Sequence, residues 1–398
     1  MTPPLDGIKV LDLTNVLAGP SCCHHLSHMG ADVIKVELPG SGDLARQLGG
    51  DHDLNAKGMG VSFLAQNTGK RSMTLNLKHP KGKAVLEKLV ANSDVLVENF
   101  RPGVMDRLDV GHARLLEVNP ELVYCAISGF GADGDMAEFP AYDQIVQGLS
   151  GVMSITGEPD GAPMRVGYPI ADTIGGLTAA FAIAAALARP KPGRGTVIDV
   201  SMLEAMLSTM GWVVSNHLIA DWPPHRAGND NVAASPSGVF QARDARFNIA
   251  ANKQEQFETL ANLVGRPDLL EDERFKDRKG RIENRDPLNK ALNEALSARD
   301  AAEWVHDLMA AGIPAGEILS LPEALAMEQV QARELIGAFD TPGVDRTVRV
   351  VRSGFRMNGE RPKTTRPPPI LGAHTTEILS EFGLSAEEIE ALRREGAL

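Results

Sequence analysis

Short apolar runs alternate with helix-period segments through the first two hundred residues, and this alternation constrains the fold more than any other feature of the chain. Residues 8–13, 32–36, 73–77, 95–97, 122–127 and 197–200 read as strands. A helical stretch opened by Gly19-Pro20 runs to Met29, and residues 81–91 carry a second helical spacing. Strands separated by helices build βαβ units, because a crossover must carry the chain back before the next parallel strand can pair. The expected architecture is therefore α/β, a doubly wound, mostly parallel, Rossmann-like sheet.

The texture changes later. Pro190-Lys191-Pro192-Gly193-Arg194-Gly195 punctuates the chain, residues 202–220 have the period of one long helix, and Trp222-Pro223-Pro224 breaks it. From about residue 236 a strand at 247–251 is followed by shorter, more charged helices at 254–264, 286–296 and 301–311. A chain of 398 residues exceeds what one hydrophobic core usually serves, so this stretch reads as a second, smaller domain. Arg366-Pro367-Pro368-Pro369 must be extended and leads to a last helical pattern at 375–382.

Composition removes several function classes. The formal charge is -12, against what a general nucleic-acid binder needs to neutralise phosphates. Residues 1–13 show no basic stretch followed by an apolar core, and the most apolar segment, 175–188, reads as a short buried helix rather than a span. The expected address is cytoplasmic, with neither a membrane nor a nucleic acid as partner. Cys22, Cys23 and Cys125 make no disulfide framework and read as small buried thiols. His24 and His28 share a helical face but lack the glutamate and third ligand of a zinc site, so no metal is expected. Residues 129–134 spell G-x-G-x-x-G, yet Pro140 leaves no room for the helix that a dinucleotide fold opens there. A glycine-rich loop beside a site is the better reading.

Three segments remain as candidate chemistry. Asn67-Thr68-Gly69-Lys70-Arg71-Ser72 sets two cations in a turn, either solvated charge or a phosphate grip. Glu98-Asn99-Phe100-Arg101-Pro102-Gly103 follows a strand directly, where α/β sheets keep their ligands. Asp172 is a lone acid between a proline turn and the most apolar helix. It is either that helix's N-cap or a partly desolvated, and therefore reactive, carboxylate.

With these segments placed, the chain resembles the class III coenzyme A transferases, the carnitine dehydratase and bile-acid-inducible protein family. The carrying blocks are LDGIKVLDLT (5–14), AGP (18–20), GADVIKVE (30–37), GSGD (40–43), NTGKRSMTLNLK (67–78), VENFRPG (97–103) and YDQIVQGLSGVMSITG (142–157). They continue as ADTIGG (171–176), GRGTVIDVSMLEA (193–205), GIPAG (312–316) and RPPPILGAHT (366–375), in order over essentially the whole chain. The resemblance implies an interlocked homodimer. It also implies a large CoA-binding domain at 1–195 completed by roughly 370–398, a helical linker at 196–229, a small inserted α/β domain at 230–330 and a return linker at 331–369.

The same resemblance puts the catalytic aspartate at Asp172. It implies mixed-anhydride and aspartyl-CoA thioester intermediates, with CoA as substrate carrier and no tightly bound cofactor. Val16, Asn99, Phe100, Arg107 and Tyr142 match places lining the CoA or acyl site, and Lys70 and Arg71 match a cation pair near the CoA phosphates. The partners would be an acyl-CoA, such as succinyl-CoA or acetyl-CoA, and a short carboxylic acid, by expectation a dicarboxylate. Apart from the resemblance, Arg165, Arg226 and Lys253 are candidate acceptor contacts, with surface charge the better reading of each. Asn15, Leu17 and Leu38 depart from the formyl-CoA transferases, and no glycine run appears in the small domain, which weighs against formyl-CoA and oxalate as substrates. The rival within the family is α-methylacyl-CoA racemase, whose Gly-His-Asp segment is here Ala141-Tyr142-Asp143. Proton transfer from opposite faces would lack its histidine.

Overall fold

Val10, Leu11, Val33, Ile34, Val95 and Leu96 are all fully buried, the signature of parallel strands covered on both faces. The computed structural model describes residues 2–188, 193 and 195–398. Its main sheet has six strands: β1 Lys9–Asp12, β2 Asp32–Glu37, β3 Arg71–Thr74, β4 Val95–Glu98, β5 Val123–Ser128 and β6 Thr196–Ser201. They are all parallel, in the order β3-β2-β1-β4-β5-β6. Leu11 sits opposite Ile34 on one side and Leu96 on the other. The order reverses between β1 and β4, and at such a switch point the loops beyond the two strands part to leave a crevice.

The helix Ala18–His28 packs against the helix Ile170–Ala188 with almost no side chain between them. A Cβ added to Gly176 would lie 2.5 Å from the Ala18 carbonyl oxygen, so glycine alone permits this approach. One core cluster joins Leu11, Ile34 and Leu96 of the sheet to Leu86 and Leu89 of the Pro80–Val90 helix. Ile378 and Leu379 of Thr375–Glu381 and Leu392 of Ala386–Arg394 complete it from the far end of the chain.

The chain divides into two compact units. The first comprises the residues up to Val152, Arg165–Trp222 and Gln331–Leu398; the second comprises Met153–Met164 and Pro223–Val330. The second has its own antiparallel sheet, β7 Ser237–Gln241, β8 Arg246–Ala250 and β9 Ala315–Glu317, over a core of Phe240, Phe247, Phe257, Leu288 and Trp304. In the first unit, β10 Ile336–Phe339 pairs antiparallel with β11 Val348–Val351. Phe339, Val348 and Val350 of that hairpin pack on Leu54, Met59 and Leu64, so residues 331–369 are more than a connection.

Several sequence expectations shift. The stretch 202–220 is two helices, Met202–Thr209 and Trp212–Ala220, split at Gly211, whose φ of +53° lies in the left-handed region. Strand β3 ends at Thr74: the Leu75 amide makes a last ladder bond to the Glu37 carbonyl of β2, and the Asn76 amide turns away to the Ala397 carbonyl. The apolar helix is longer and less buried than its sequence suggested. At 19 residues, Ile170–Ala188 is long and apolar enough to cross a membrane by those criteria. One face packs through Ala171, Gly175, Gly176, Ala179, Ala180 and Ile183, while Phe181 on the other is 77% exposed. Pro190-Lys191-Pro192 and Arg194 of the expected break lie outside the described residues.

Charges that never reach solvent tie the carboxyl ends of β1 and β2 to the residue that leads into β3. Lys70 Nζ lies 2.8 Å from Asp12 Oδ2 and donates to the Pro20 carbonyl at 3.0 Å. Lys35 Nζ stands 2.9 Å from Asp43 Oδ2 and 3.9 Å from Asp12 Oδ1. Burial pushes the Asp12 carboxyl up, but the two ammonium groups outweigh it and hold it below the usual carboxylate range. Beside them Arg46 grips Glu37 through two bonds of 2.7 and 2.8 Å, and its guanidinium lies 3.6 Å from the centre of the Phe63 ring. Breaking such a pair leaves a bare charge in the core. Lys70→Met is expected to destabilise the fold by about 3–5 kcal/mol, seen as a lower urea midpoint. An unchanged midpoint would return Lys70 to the role of a ligand grip.

Candidate functional site

The loops leaving β1, β4 and β5 line one cleft at the switch point. Asn15–Ala18, Asn99–Pro102 and Ile127–Gly129 form its floor, Phe139–Tyr142 one wall, and Asp172 and Met202 complete it. The first two loops are stitched together by a reciprocal amide pair. The Asn15 N–H donates to Asn99 Oδ1 at 2.8 Å, and Asn99 Nδ2 donates to the Asn15 carbonyl at 2.8 Å. The loop after β5 is shaped by Gly131 N–H on Ser128 Oγ and Ala132 N–H on Asp199 Oδ2, both at 2.9 Å. No helix opens at its glycines; the next one is Asp143–Leu149.

Asp172 is the third residue of Ile170–Ala188, inside the first turn rather than at the N-cap. Among the described residues no group hydrogen bonds its carboxyl. Burial raises its pKa, the nearby Asp143 carboxylate raises it further, and it reaches about 7. Asp143 is better satisfied. It accepts from the Ala171 N–H at 2.8 Å and from Gln147 Nε2 at 2.7 Å, with Arg165 4.0 Å away. The fold thus fixes one carboxylate with hydrogen bonds and leaves its neighbour half-buried with a raised pKa.

Five of the eight residues singled out from the sequence meet in this cleft: Asp172, Val16, Asn99, Phe100 and Tyr142. Arg107 lies on the same β4 loop, exposed at the end of the Val104–Arg107 turn of helix. Lys70 and Arg71 are not brought there, which corrects the phosphate-grip reading. Lys70 is sealed on Asp12, and Arg71 is bound by Asp32 at 2.5 Å, Glu377 at 2.9 Å and Glu381 at 2.8 Å. Both cations are already matched by carboxylates of the protein. Of the candidate acceptor contacts, Arg165 belongs to the first unit and faces Asp143; Arg226 spends its guanidinium on the Ser154, Glu158 and Pro159 carbonyls of the second unit, and Lys253 is exposed there.

Glu98 has no distinguishing signal in the sequence beyond its place before Asn99. Its buried carboxyl accepts from the Phe100 N–H at 2.8 Å and the Tyr124 hydroxyl at 3.1 Å. Burial lifts its pKa to about 7 against those two bonds. It therefore braces the Asn99–Phe100 turn from beneath.

The model of CoA-transferase family III matches residues 5–375. The chain belongs to that family. It is an enzyme of the CoA-transferase class, as the sequence blocks implied. It is 41% identical to the acetyl-CoA:oxalate CoA-transferase of Acetobacter aceti, covering 90% of this chain and 92% of that one. It is 38% identical to the succinate–glutarate CoA-transferase of Agrobacterium fabrum, covering 96% of both. The crystal structure of a CAIB/BAIF family protein from Brucella suis superposes with a TM-score of 0.84 at 34% identity, over 96% of this chain and all of that one.

The raised pKa of Asp172 has a consequence for stability. The unfolded carboxyl, near 3.8, gives up its proton before the folded one does. Between about pH 4 and 7 the folded state therefore holds more protons, and stability falls as pH rises through that window. Asp172→Asn removes the effect. The variant is expected to be more stable than the natural chain above pH 7, by about 1–3 kcal/mol once the partial exposure is allowed for, and equal to it below pH 4. Thermal unfolding across pH reads the difference; parallel curves would refute it.

Proposed function

We propose that this CoA-transferase moves coenzyme A from an acyl-CoA donor, such as succinyl-CoA or acetyl-CoA, to a short dicarboxylate, with Asp172 as the covalent carrier. One observation carries the reading: a carboxyl in the switch-point cleft with no hydrogen-bond partner among the described residues, its pKa raised by burial and by Asp143 to about 7. Its oxygen attacks the donor thioester carbonyl, the C–S bond breaks, and a mixed anhydride forms with release of CoA thiolate. The thiolate attacks the aspartyl carbonyl, leaving aspartyl-CoA thioester and free donor acid. The acceptor carboxylate attacks that thioester and expels the thiolate, which then attacks the acceptor carbonyl and frees Asp172. Each step exchanges one activated acyl group for another, so no step needs hydrolysis or an external energy source.

The high pKa serves this chemistry, since a more basic carboxylate is a stronger nucleophile once ionised. In this reading Val16, Asn99, Phe100 and Tyr142 line the thioester path and Arg107 lies on the approach. The donor and acceptor follow the relatives, which differ in acid, one oxalate and one glutarate. The oxalate relative at 41% identity offsets the departures at Asn15, Leu17 and Leu38, so oxalate stays among the acids to be tested.

We also take the working form to be a homodimer in the cytoplasm. The apolar surface of the first unit supports the dimer: Leu177, Phe181, Trp212, Leu218 and Ile219 are large and exposed in the single chain. Three free, buried cysteines suit a reducing compartment.

The test is a panel of oxalate, succinate, glutarate and malate, incubated with succinyl-CoA or acetyl-CoA and read by mass of the new thioester. At least one dicarboxylate is expected to gain CoA, with kcat/KM rising with pH until Asp172 is ionised above about 7. Failure of every acid, with exchange of the α-hydrogen of a 2-methylacyl-CoA, would establish the racemase chemistry instead.

A further inference from the structure

Val16 is the cleft residue whose backbone is held against its own preference. Its φ is +68°, in the left-handed region, where a β-branched side chain crowds its own main chain. Such a conformation persists only where the surroundings over-determine it. Two observations show what does so here. The Val16 N–H donates to Asp43 Oδ1 at 2.9 Å, and the preceding Asn15 is fixed at both its N–H and its carbonyl by Asn99.

Asp43 is itself immobilised. Its other oxygen faces Lys35 Nζ at 2.9 Å, with both side chains wholly buried, and the same ammonium donates to the Thr14 carbonyl at 2.8 Å. One buried cation therefore holds the chain at Thr14 directly and at Val16 through Asp43, on the two sides of Asn15. The Gly40-Ser41-Gly42-Asp43 turn, distinctive in the sequence, otherwise has no part in the chemistry described above.

We propose that Asp43 is a positioning residue that forces Val16 into its left-handed conformation and so sets the shape of the acyl-CoA cleft. The inference rests on the reading of that cleft as the acyl-CoA site. Asp43 touches no substrate; it acts through the Val16 amide. A competing role is purely structural, since the same carboxylate oxygen also accepts from the Ala45 N–H at 2.9 Å and caps the short helix after it. The two roles differ in how they respond to residue 16. Glycine adopts a positive φ without strain and needs no clamp, whereas alanine shortens the side chain but keeps most of the penalty.

The experiment is a set of paired substitutions on the full-length protein, with KM for succinyl-CoA or acetyl-CoA, kcat and thermal midpoint measured for each. Asp43→Ala is expected to raise KM for the acyl-CoA about 30-fold, with a smaller change in kcat. In a Val16→Gly background the same substitution is expected to raise KM only about threefold, while in a Val16→Ala background the full effect returns. If Asp43→Ala does not fold, Asp43→Asn carries the same cycle with a smaller rise, because it keeps the shape but loses the Lys35 ion pair. An equal rise in all backgrounds, with an active natural chain, would overturn the positioning role and leave the transferase reading intact. A natural chain that transfers no CoA would overturn the transferase reading and this inference with it.

Discussion

The site depends on a buried charge relay that joins the carboxyl ends of the first two strands to the residue leading into the third. Asp12, Lys35, Asp43 and Lys70 come from four separate stretches, and none of their side chains reaches solvent. Burying ions is costly unless every one is paired at close range, so an arrangement that succeeds admits little displacement. That rigidity passes outward, through Lys35 to Thr14 and through Asp43 to Val16, into the loop that forms the cleft floor. The parallel sheet supplies the crevice, and the relay fixes the geometry of its near edge.

Above that floor the protein separates two carboxylates by environment. Asp143 receives hydrogen bonds from Ala171 and Gln147, while Asp172, one residue past the first of these donors, receives none among the described residues. The neighbour's charge and partial burial together keep Asp172 basic. Under the proposed mechanism, that basicity is what fits Asp172 for the role of nucleophile. The long helix behind Asp172 contributes through Gly176, whose missing side chain lets that helix close on the Ala18 carbonyl and bring both loops to one cleft.

Much of this was legible in the chain. Strand–helix alternation gave the parallel sheet, because periodicity is a local property that the fold preserved: residues 95–97 became Val95–Glu98 and 197–200 became Thr196–Ser201. Asp172, Val16, Asn99, Phe100 and Tyr142 were reachable through ordered sequence blocks, and they do share a cleft. The pairing of charges was not reachable. Lys70 and Arg71 look like free cations because their partners are distant, Asp12 at a separation of 58 residues and Glu377 at 306. Nor could the sequence announce that Val16 adopts a positive φ, since valine is among the residues least suited to it. The helix break at Gly211 was masked by apolar residues that continue the period on both sides.

The central claim is that the Asp172 oxygen becomes acylated. It is tested most directly by incubating the protein with acyl-CoA donor and no acceptor acid, quenching with hydroxylamine, and mapping peptides by mass spectrometry. The account predicts a hydroxamate on Asp172 and on no other acid, and no such product in Asp172→Asn. An unmodified Asp172 peptide in a preparation that still transfers CoA would contradict it.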